Sequence, residues 1–386
     1  MRSVLEPLAI RKGTLMKALT VGGAMVDTIA IVDDELIERI SLSNAGKTFL
    51  LLEQGSKTEA ADISTHCGGG AINAAVALAR LGFEVSVLAK VGDDERARLV
   101  RETLTREKIS PLGLRTTAMS PTGASAIISA HDRNAAVFTF RGANTDLRAE
   151  DIEPKSFRAD LVYIASLSGG SADALPLLVQ AAASQGAFVS VNPGIKQITT
   201  RFEAIRKLLS SLSMIALNRQ EAEAFVRQAV AELSGSENAR LRHIAAASLH
   251  VPAEGAGRRS DAACALVEGL LQLGAPRVLL TDGRHGSYFG THGEIVFCPA
   301  LDVTVSSTVG AGDAFVSTFC AMTVDGSDAA TALRAAAVNS ASVVSRPDTQ
   351  SGLLQRDAVM HRAQAALYRL PVESWQLSKV YAVKEP

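Results

Sequence analysis

The sequence predicts an α/β protein: a parallel sheet with helices on both of its faces. Three observations predict it. From Asp160 onward, short apolar runs of strand length alternate with longer runs of helical length, the pattern that strand–helix crossovers impose. Two glycine-rich turns, Gly68-Gly69-Gly70 and Gly310-Ala311-Gly312, each lead into an apolar run long enough for a helix. Two β-rich stretches stand outside the alternation, at about 37–66 and 121–145, and read as small additions beside the main sheet.

At 386 residues the chain can bury a large core, in one big domain or two unequal ones. Its 47% hydrophobic and 20% charged residues exclude a disordered chain. A net charge of −1 with no dense basic block argues against a nucleic-acid partner. No apolar run approaches the roughly 20 residues of a membrane helix, so no membrane partner is expected. Cys67, Cys264, Cys298 and Cys320 are scattered without a C-x-x-C pair and read as reduced thiols of a cytoplasmic protein. The first fifteen residues carry Glu6, Arg11 and Lys12 and lack a signal-peptide core. Residues 1–15 are expected to be a loose extension, with Met16 as an alternative start.

In chain order, Ala18–Val21 is a strand candidate running into Gly22-Gly23. Thr48–Leu52 and Glu59–Thr65 are β-like runs of a small antiparallel excursion. Gly46-Lys47-Thr48 resembles the end of a P-loop, but Ser41 stands where its first glycine belongs and no helix is expected to follow. An alanine-rich helix follows Gly70 and ends at Arg80-Leu81-Gly82. Glu84–Lys90 reads as a buried strand, Asp93-Asp94 as a cap, and Glu95–Lys108 as an amphipathic helix. Ala124–Ala130 and Ala135–Phe140 flank a four-residue hairpin loop. Further strands are expected at Leu161–Ala165, Ala187–Val191, Met214–Leu217 and Arg277–Leu280. Ser234–Ser260 reads as a surface insertion, and Ala329–Ser345 and Arg356–Tyr368 as closing helices.

The chemistry concentrates on Ser307-Thr308-Val309-Gly310-Ala311-Gly312-Asp313. Small residues between a β-type run, Leu301–Val305, and the helical run Ala314–Val324 let backbone N–H groups converge on an anion at a helix N-terminus. A carboxylate beside a phosphate is repelled unless it has a task. Accepting a proton from a hydroxyl that attacks phosphorus is the task that fits Asp313. Upstream, the three glycines allow close approach of a ligand, and Asn73, one turn in, can donate to and accept from a hydroxyl. Asp27 follows the first strand, where open α/β sheets bind ligands. Glu221 offers a metal-side carboxylate, and the β-rich stretches a cover that excludes water. Arg133 and Arg141 could meet an anionic sugar, although arginines at hairpins are usually solvated. The seven histidines show no metal-ligand spacing. No G-x-G-x-x-G follows the first strand, which counts against a dinucleotide-binding dehydrogenase.

Taken in order, Gly68-Gly69-Gly70-Ala71-Ile72-Asn73-Ala74-Ala75, Gly82, Gly92 and then Thr308-Val309-Gly310-Ala311-Gly312-Asp313 resemble the ribokinase-like (PfkB) carbohydrate kinases. The resemblance runs from about Ala18 to Tyr368. It implies a three-layer α/β/α fold with a mostly parallel central sheet and a small β-sheet lid. It implies a kinase domain over 16–375, lid excursions at about 37–66 and 121–145, an insertion at about 234–260 and a tail over 376–386. Asp27, Gly69, Asn73 and Asn144 would then meet the substrate. Asn218, Thr281, Gly283, Gly286 and Asn339 would meet the nucleotide, and Glu221 the metal. Gly310, Ala311 and Gly312 would form the anion hole, with Asp313 as catalytic base. The implied cofactors are ATP and Mg2+, with room for a monovalent cation such as K+. Ser307 departs from the family's usual aspartate, and Thr318 from a usual glycine or alanine.

The expected activity is ATP-dependent transfer of the γ-phosphate to a hydroxymethyl group of a ribose- or fructose-like sugar. A nucleoside kinase of the adenosine type is the alternative on this fold, with Phe138, Phe140 and Thr48–Leu52 as an apolar wall for a base. A non-catalytic sugar- or nucleotide-binding homologue is the remote alternative. A homodimer paired through its lids is also expected.

Overall fold

Strand β1 (Lys17–Val21) lies inside a ten-stranded sheet, and the later strands add to either side of it. The structure is a computed structural model that describes residues 15–33, 38–42, 47–51, 55, 57–130, 135–232, 241–242 and 260–377. In chain order come β2 (Met25–Val32), β3 (Glu38–Leu42), β4 (Lys47–Leu51), β5 (Asp62–Gly68), α1 (Gly70–Arg80), β6 (Glu84–Gly92), α2 (Glu95–Arg106) and β7 (Ser110–Thr117). A hairpin, β8 (Gly123–Ala130) and β9 (Ala135–Phe140), precedes β10 (Leu161–Ile164), α3 (Leu175–Ser184), β11 (Phe188–Val191) and α4 (Ile195–Leu208). Then follow β12 (Met214–Asn218), α5 (Arg219–Glu232), α6 (Asp261–Gln272), β13 (Arg277–Thr281), β14 (Ser287–Thr291) and β15 (Glu294–Cys298). Helices α7 (Ala311–Val324), α8 (Ala329–Val344) and α9 (Arg356–Ala365), with strand β16 (Glu373–Gln376), close the fold.

Across the large sheet the order is β16-β15-β14-β13-β12-β11-β10-β1-β6-β7. From β7 to β13 all neighbours are parallel, and β14, β15 and β16 add an antiparallel end. Successive strand residues bury into opposite layers, as the pleat requires. Ala18, Val85, Val87 and Tyr163 pack toward α1, α2, α7, α8 and α9. Leu19, Val21, Val162, Ile164 and Val189 pack toward α3, α4, α5 and α6. Helix starts follow local chemistry. Asp94 caps α2 by accepting from the Ala97 N–H at 3.0 Å, and Asp328 caps α8 by accepting from Thr331 N–H at 2.7 Å.

A second sheet, ordered β5-β2-β8-β9, rises from the carboxyl end of β1, and β3 and β4 form a separate two-stranded ribbon. The lid therefore begins at Met25 rather than at residue 37. Within 37–66 the pairing is antiparallel as expected, β3 with β4 and β5 with β2, while the parallel β2–β8 pair makes the four-stranded sheet as a whole mixed. The run Leu301–Val305 is not a strand. Its alternating burial reproduces a β pattern, but the free side of β15 is already paired with β16. Strand β7 escaped sequence reading because Pro111 and Gly113 mark it as a loop; it is an edge strand with a register shift at Ser86/Leu88. Gln376, assigned to the tail, ends β16. The tail beyond Leu377, the insertion apart from residues 241, 242 and 260, and the extension up to residue 14 lie outside the described residues, as does Arg133. Lys47–Leu51 is a strand, so no helix follows Gly46-Lys47-Thr48. Among the described residues no helix is long and apolar enough to cross a membrane, and all four cysteines are free thiols.

Candidate active site

Strand order reverses between β1 and β10: the chain builds outward through β6 and β7, then returns to β1's other side. Open sheets bind ligands at the carboxyl ends beside such a reversal. A cavity of about 200 Å³ lies there, lined among others by Gly23 after β1, Ser166 after β10, Asn192 after β11, Gly69 and Gly70 before α1, and Asp313. Asn144 and Arg141 also line it.

Asp313 stands in the first turn of α7. Gly310, the N-cap, has φ +81 and no side chain to occupy the first-turn amides. A Cβ on Gly310 would fall 2.7 Å from Thr349 Cβ, so glycine is needed there for both conformation and space. The Ala311 N–H turns back to Thr308 O at 3.4 Å. The N–H groups of Gly312 and Asp313 have no acceptor among the described residues, which leaves them available to an anion, as first-turn amides are. Ser307 Oγ accepts from the Val309 N–H at 3.2 Å, so the residue in the aspartate's place shapes the turn.

The Asp313 carboxylate is held at both oxygens. Asn73 Nδ2 donates to Oδ2 at 3.0 Å, and Tyr163 Oη to Oδ1 at 3.3 Å. Burial raises the carboxyl's pKa, while these two hydrogen bonds pull it down. Tyr163, fully buried in β10 and facing the Asp313 charge, is pushed well above its ordinary pKa and remains a donor. Its hydroxyl also reaches Asn192 Oδ1 at 3.4 Å.

Asn73 is buried and turned toward Asp313. Its Oδ1 accepts from Thr349 Oγ1 at 2.9 Å and Gln350 Nε2 at 3.3 Å, which leaves a single side-chain N–H for a substrate. Gly69, with φ +93 and its Cα facing Gly23 O, allows the lid root and α1 to meet over the cavity. Asn144 grips the backbone of Ala24, accepting from its N–H at 2.9 Å and donating to its carbonyl at 3.0 Å. Asn144 thus joins the lid to the segment after β1, and since it also lines the cavity its second Nδ2 hydrogen is left for the substrate contact expected of it. Asn144→Ala should lower unfolding free energy by about 2 kcal/mol, because two buried groups of Ala24 lose their partners. Denaturant titration checks this; a raised KM with unchanged stability would make substrate contact, not the tie to Ala24, its main task.

Asp27, in β2, accepts from Ser125 Oγ and lies against Gly68, where a Cβ would come within 2.0 Å of Oδ2. Burial raises its pKa against the Ser125 bond and the His66 charge. Asp27 is not among the residues that line the cavity. Ladder register puts Asp27, Ser125 and Thr139 on one face of the lid and Phe138 and Phe140 on the other. The Phe138 and Phe140 part of the apolar wall expected for a base is therefore turned away from Asp27, while residue 52 and the side chains of 48–50 lie outside what the structure describes.

On the nucleotide side, Asn218 and Glu221 cap α5 reciprocally: each side chain accepts from the other's N–H at 2.9 Å. Burial, followed by the Asp313 charge, pushes Glu221 up to about 7. Thr281 pairs with Asn218 across β13 and β12. Gly283 and Gly286 close the next turn, where the Asp282 N–H donates to Gly286 O and Arg219 donates to the Asp282 carboxylate at 3.0 Å. Asn339 does not join them. It is fully buried, donates to Thr318 Oγ1 at 2.8 Å and accepts from Leu354 N–H at 2.9 Å. Its expected adenine contact is replaced by a clamp between α7 and α8, which also gives Thr318 its use. Sequence reading missed Tyr163, Asn192, Thr349 and Gln350. Tyr163 sits inside the apolar run Leu161–Ile164, and its hydroxyl in a strand buried on both faces was the one available signal.

Residues 27–356 match the pfkB family carbohydrate kinase model. A deoxyribokinase of Salmonella typhi is 26% identical over 328 residues, covering 84% of this chain and 94% of that one. A fructokinase of Klebsiella pneumoniae is 28% identical over 262 residues, covering 65% and 75%. The structure of Arabidopsis thaliana ribokinase complexed with ribose and ATP shares the fold with a TM-score of 0.67 at 17% identity, over 91% of this chain and 99% of that one. With the matched span taking in Asp27, the α1 glycines and Asp313, this chain belongs to the PfkB family of carbohydrate kinases, ATP-binding phosphotransferases with an alcohol group as acceptor.

Proposed function

We propose that this protein transfers the γ-phosphoryl group of ATP to a hydroxymethyl group of a monosaccharide. The observation that carries the proposal is Asp313, held by Asn73 and Tyr163 at a helix N-terminus above a small polar cavity. Asp313 takes the hydroxyl proton as the oxygen attacks phosphorus, and the glycine turn Gly310–Gly312, through the N–H groups left without an acceptor at the start of α7, receives the charge that builds on the transferred group. The lid keeps water from competing. Glu221 would hold the Mg2+ that neutralises phosphate charge. Its carboxylate fits that group, because burial and Asp313 raise its pKa to about 7 and a divalent cation would relieve both. Thr281, Gly283 and Gly286 would border the nucleotide beside Asn218.

The size of the cavity supports the substrate class. About 200 Å³ is below the roughly 300–1,000 Å³ of drug-sized ligand pockets and suits a single sugar ring. Phe138 and Phe140 are on the wrong lid face to stack a base against Asp27. Arg141 on the cavity wall favours one second reading, a sugar carrying an anionic group. Phosphorylation is tested across ribose, deoxyribose, fructose, sugar acids and nucleosides with ATP and Mg2+ fixed. Neutral sugars are expected to show the highest kcat/KM. Preference for an acid, lost in Arg141→Ala, would establish the second reading, and preference for adenosine would overturn both.

We also propose a dimer through the lids. Among the described residues strand β9 has one unpaired edge, and Phe138 and Phe140 are 61% and 52% exposed on it. Such edges are normally covered. Sedimentation at micromolar concentration should show a dimer, and Phe138→Lys/Phe140→Lys a monomer. A wild-type monomer would end this proposal.

A further inference from the structure

The loop after α8 reaches the catalytic base through Asn73. Thr349 and Gln350 both donate to Asn73 Oδ1, at 2.9 and 3.3 Å. An asparagine amide has one acceptor end and one donor end. Two donors fixed on its oxygen turn its Nδ2 toward Asp313 Oδ2, 3.0 Å away. A flipped amide would set oxygen against carboxylate and two donors against its NH2 group.

The loop itself is braced. Asp348 Oδ1 accepts from the N–H groups of Gln350 and Ser351 at 2.8 and 2.7 Å. Arg80, in the same helix as Asn73, donates to the carbonyls of Gln350 and Leu353, each at 2.8 Å. Glu107 holds Arg80 in turn through two hydrogen bonds of 3.1 and 2.8 Å. Gln350 Nε2 also donates to Cys67 O at 2.8 Å. Thr349 and Gln350 are both buried, so water does not compete for these bonds.

The geometry assigns Thr349 and Gln350 as positioning residues that set the Asn73 amide and, through it, the Asp313 carboxylate. This rests on Asp313 being the base proposed above. Thr349 also packs under Gly310, so the test must separate the hydroxyl from the packing. Thr349→Val keeps the shape and removes only the donor. It should lower kcat on the order of tenfold, the cost of about one buried hydrogen bond, with KM nearly unchanged. Thr349→Ser, which keeps the hydroxyl, should restore kcat. In an Asn73→Ala background Thr349→Val should cost nothing further, because its route to Asp313 is already gone.

Wild-type kcat in Thr349→Val, or the same tenfold loss in both backgrounds, would overturn the assignment. Asp313→Asn is measured beside them. A dead Asp313→Asn with an unaltered Thr349→Val defeats the relay alone, whereas an active Asp313→Asn defeats the base and the relay together. A readout independent of turnover is the Asn73 side-chain amide signal in ¹⁵N-asparagine-labelled protein. It should move in both Asp313→Asn and Thr349→Val, and indifference to Thr349→Val would overturn the relay.

Discussion

Asp313→Asn should lower turnover by on the order of 10²–10⁴, the range for losing a general base, while ATP and sugar bind nearly as in the wild type. The amide has the shape of the carboxylate and can still meet Tyr163 and Asn73, but it cannot take the substrate's proton. The pH dependence has a definite sign. Burial outweighs the Asn73 and Tyr163 hydrogen bonds and leaves Asp313 above its ordinary pKa. Wild-type kcat/KM should therefore fall on acidification at a higher pH than an exposed aspartate would give, as the base becomes protonated. The residual rate of Asp313→Asn should lack that acid limb. Steady-state kinetics across pH with separate ATP-binding titrations check both points. A wild-type rate in the variant would remove Asp313 from the mechanism.

Gly312→Val should abolish most phosphoryl transfer without harming the fold. A Cβ added at Gly312 meets no protein atom within 4 Å, and the residue is exposed in the first turn of α7. That open space is where the proposed phosphate would lie. A branched side chain there should crowd the phosphate and cover the amides, at about 10²–10³ in kcat, the usual cost of one lost oxyanion donor. Thermal unfolding should stay close to wild type. Gly310→Ala makes the contrast: its positive φ and the nearby Thr349 Cβ should cost about 1–3 kcal/mol of stability. If Gly312→Val unfolds early and Gly310→Ala does not, the two glycines have been assigned the wrong tasks.

Much of this architecture was legible in the chain. The central strands Leu161–Ile164, Phe188–Val191 and Met214–Asn218 are apolar runs because both of their faces are covered, and helices of 10 to 16 residues carry local start signals, Pro176 in the first turn of α3 and the Asp328 cap of α8. The lid's first strand was harder to see, because β2 carries Asp27 amid its apolar residues and its partners β5 and β8 lie far along the chain. Period-2 patterning reports alternating burial, not ladder partners, which is why Leu301–Val305 imitates a strand and is none.

Local sequence was enough for the fold class, the two glycine turns and the place of Asp313 in the first turn of an apolar helix. These depend on local chemistry: glycine where backbone must approach a ligand, and a carboxylate one turn into an apolar helix. Tertiary structure alone decided what the amides do. Asn73, Asn144, Asn218 and Asn339 all resemble ligand contacts in the chain, yet Asn144 and Asn339 spend both ends of their side chains on other parts of the protein. Asn218 caps α5 through Glu221, and Asn73 turns its NH2 group to Asp313. An asparagine can donate and accept in any direction, so its role is set by the partners that folding brings within about 3 Å. Those partners lie 120 residues away for Asn144 and 240 for Asn73, beyond the reach of any local pattern.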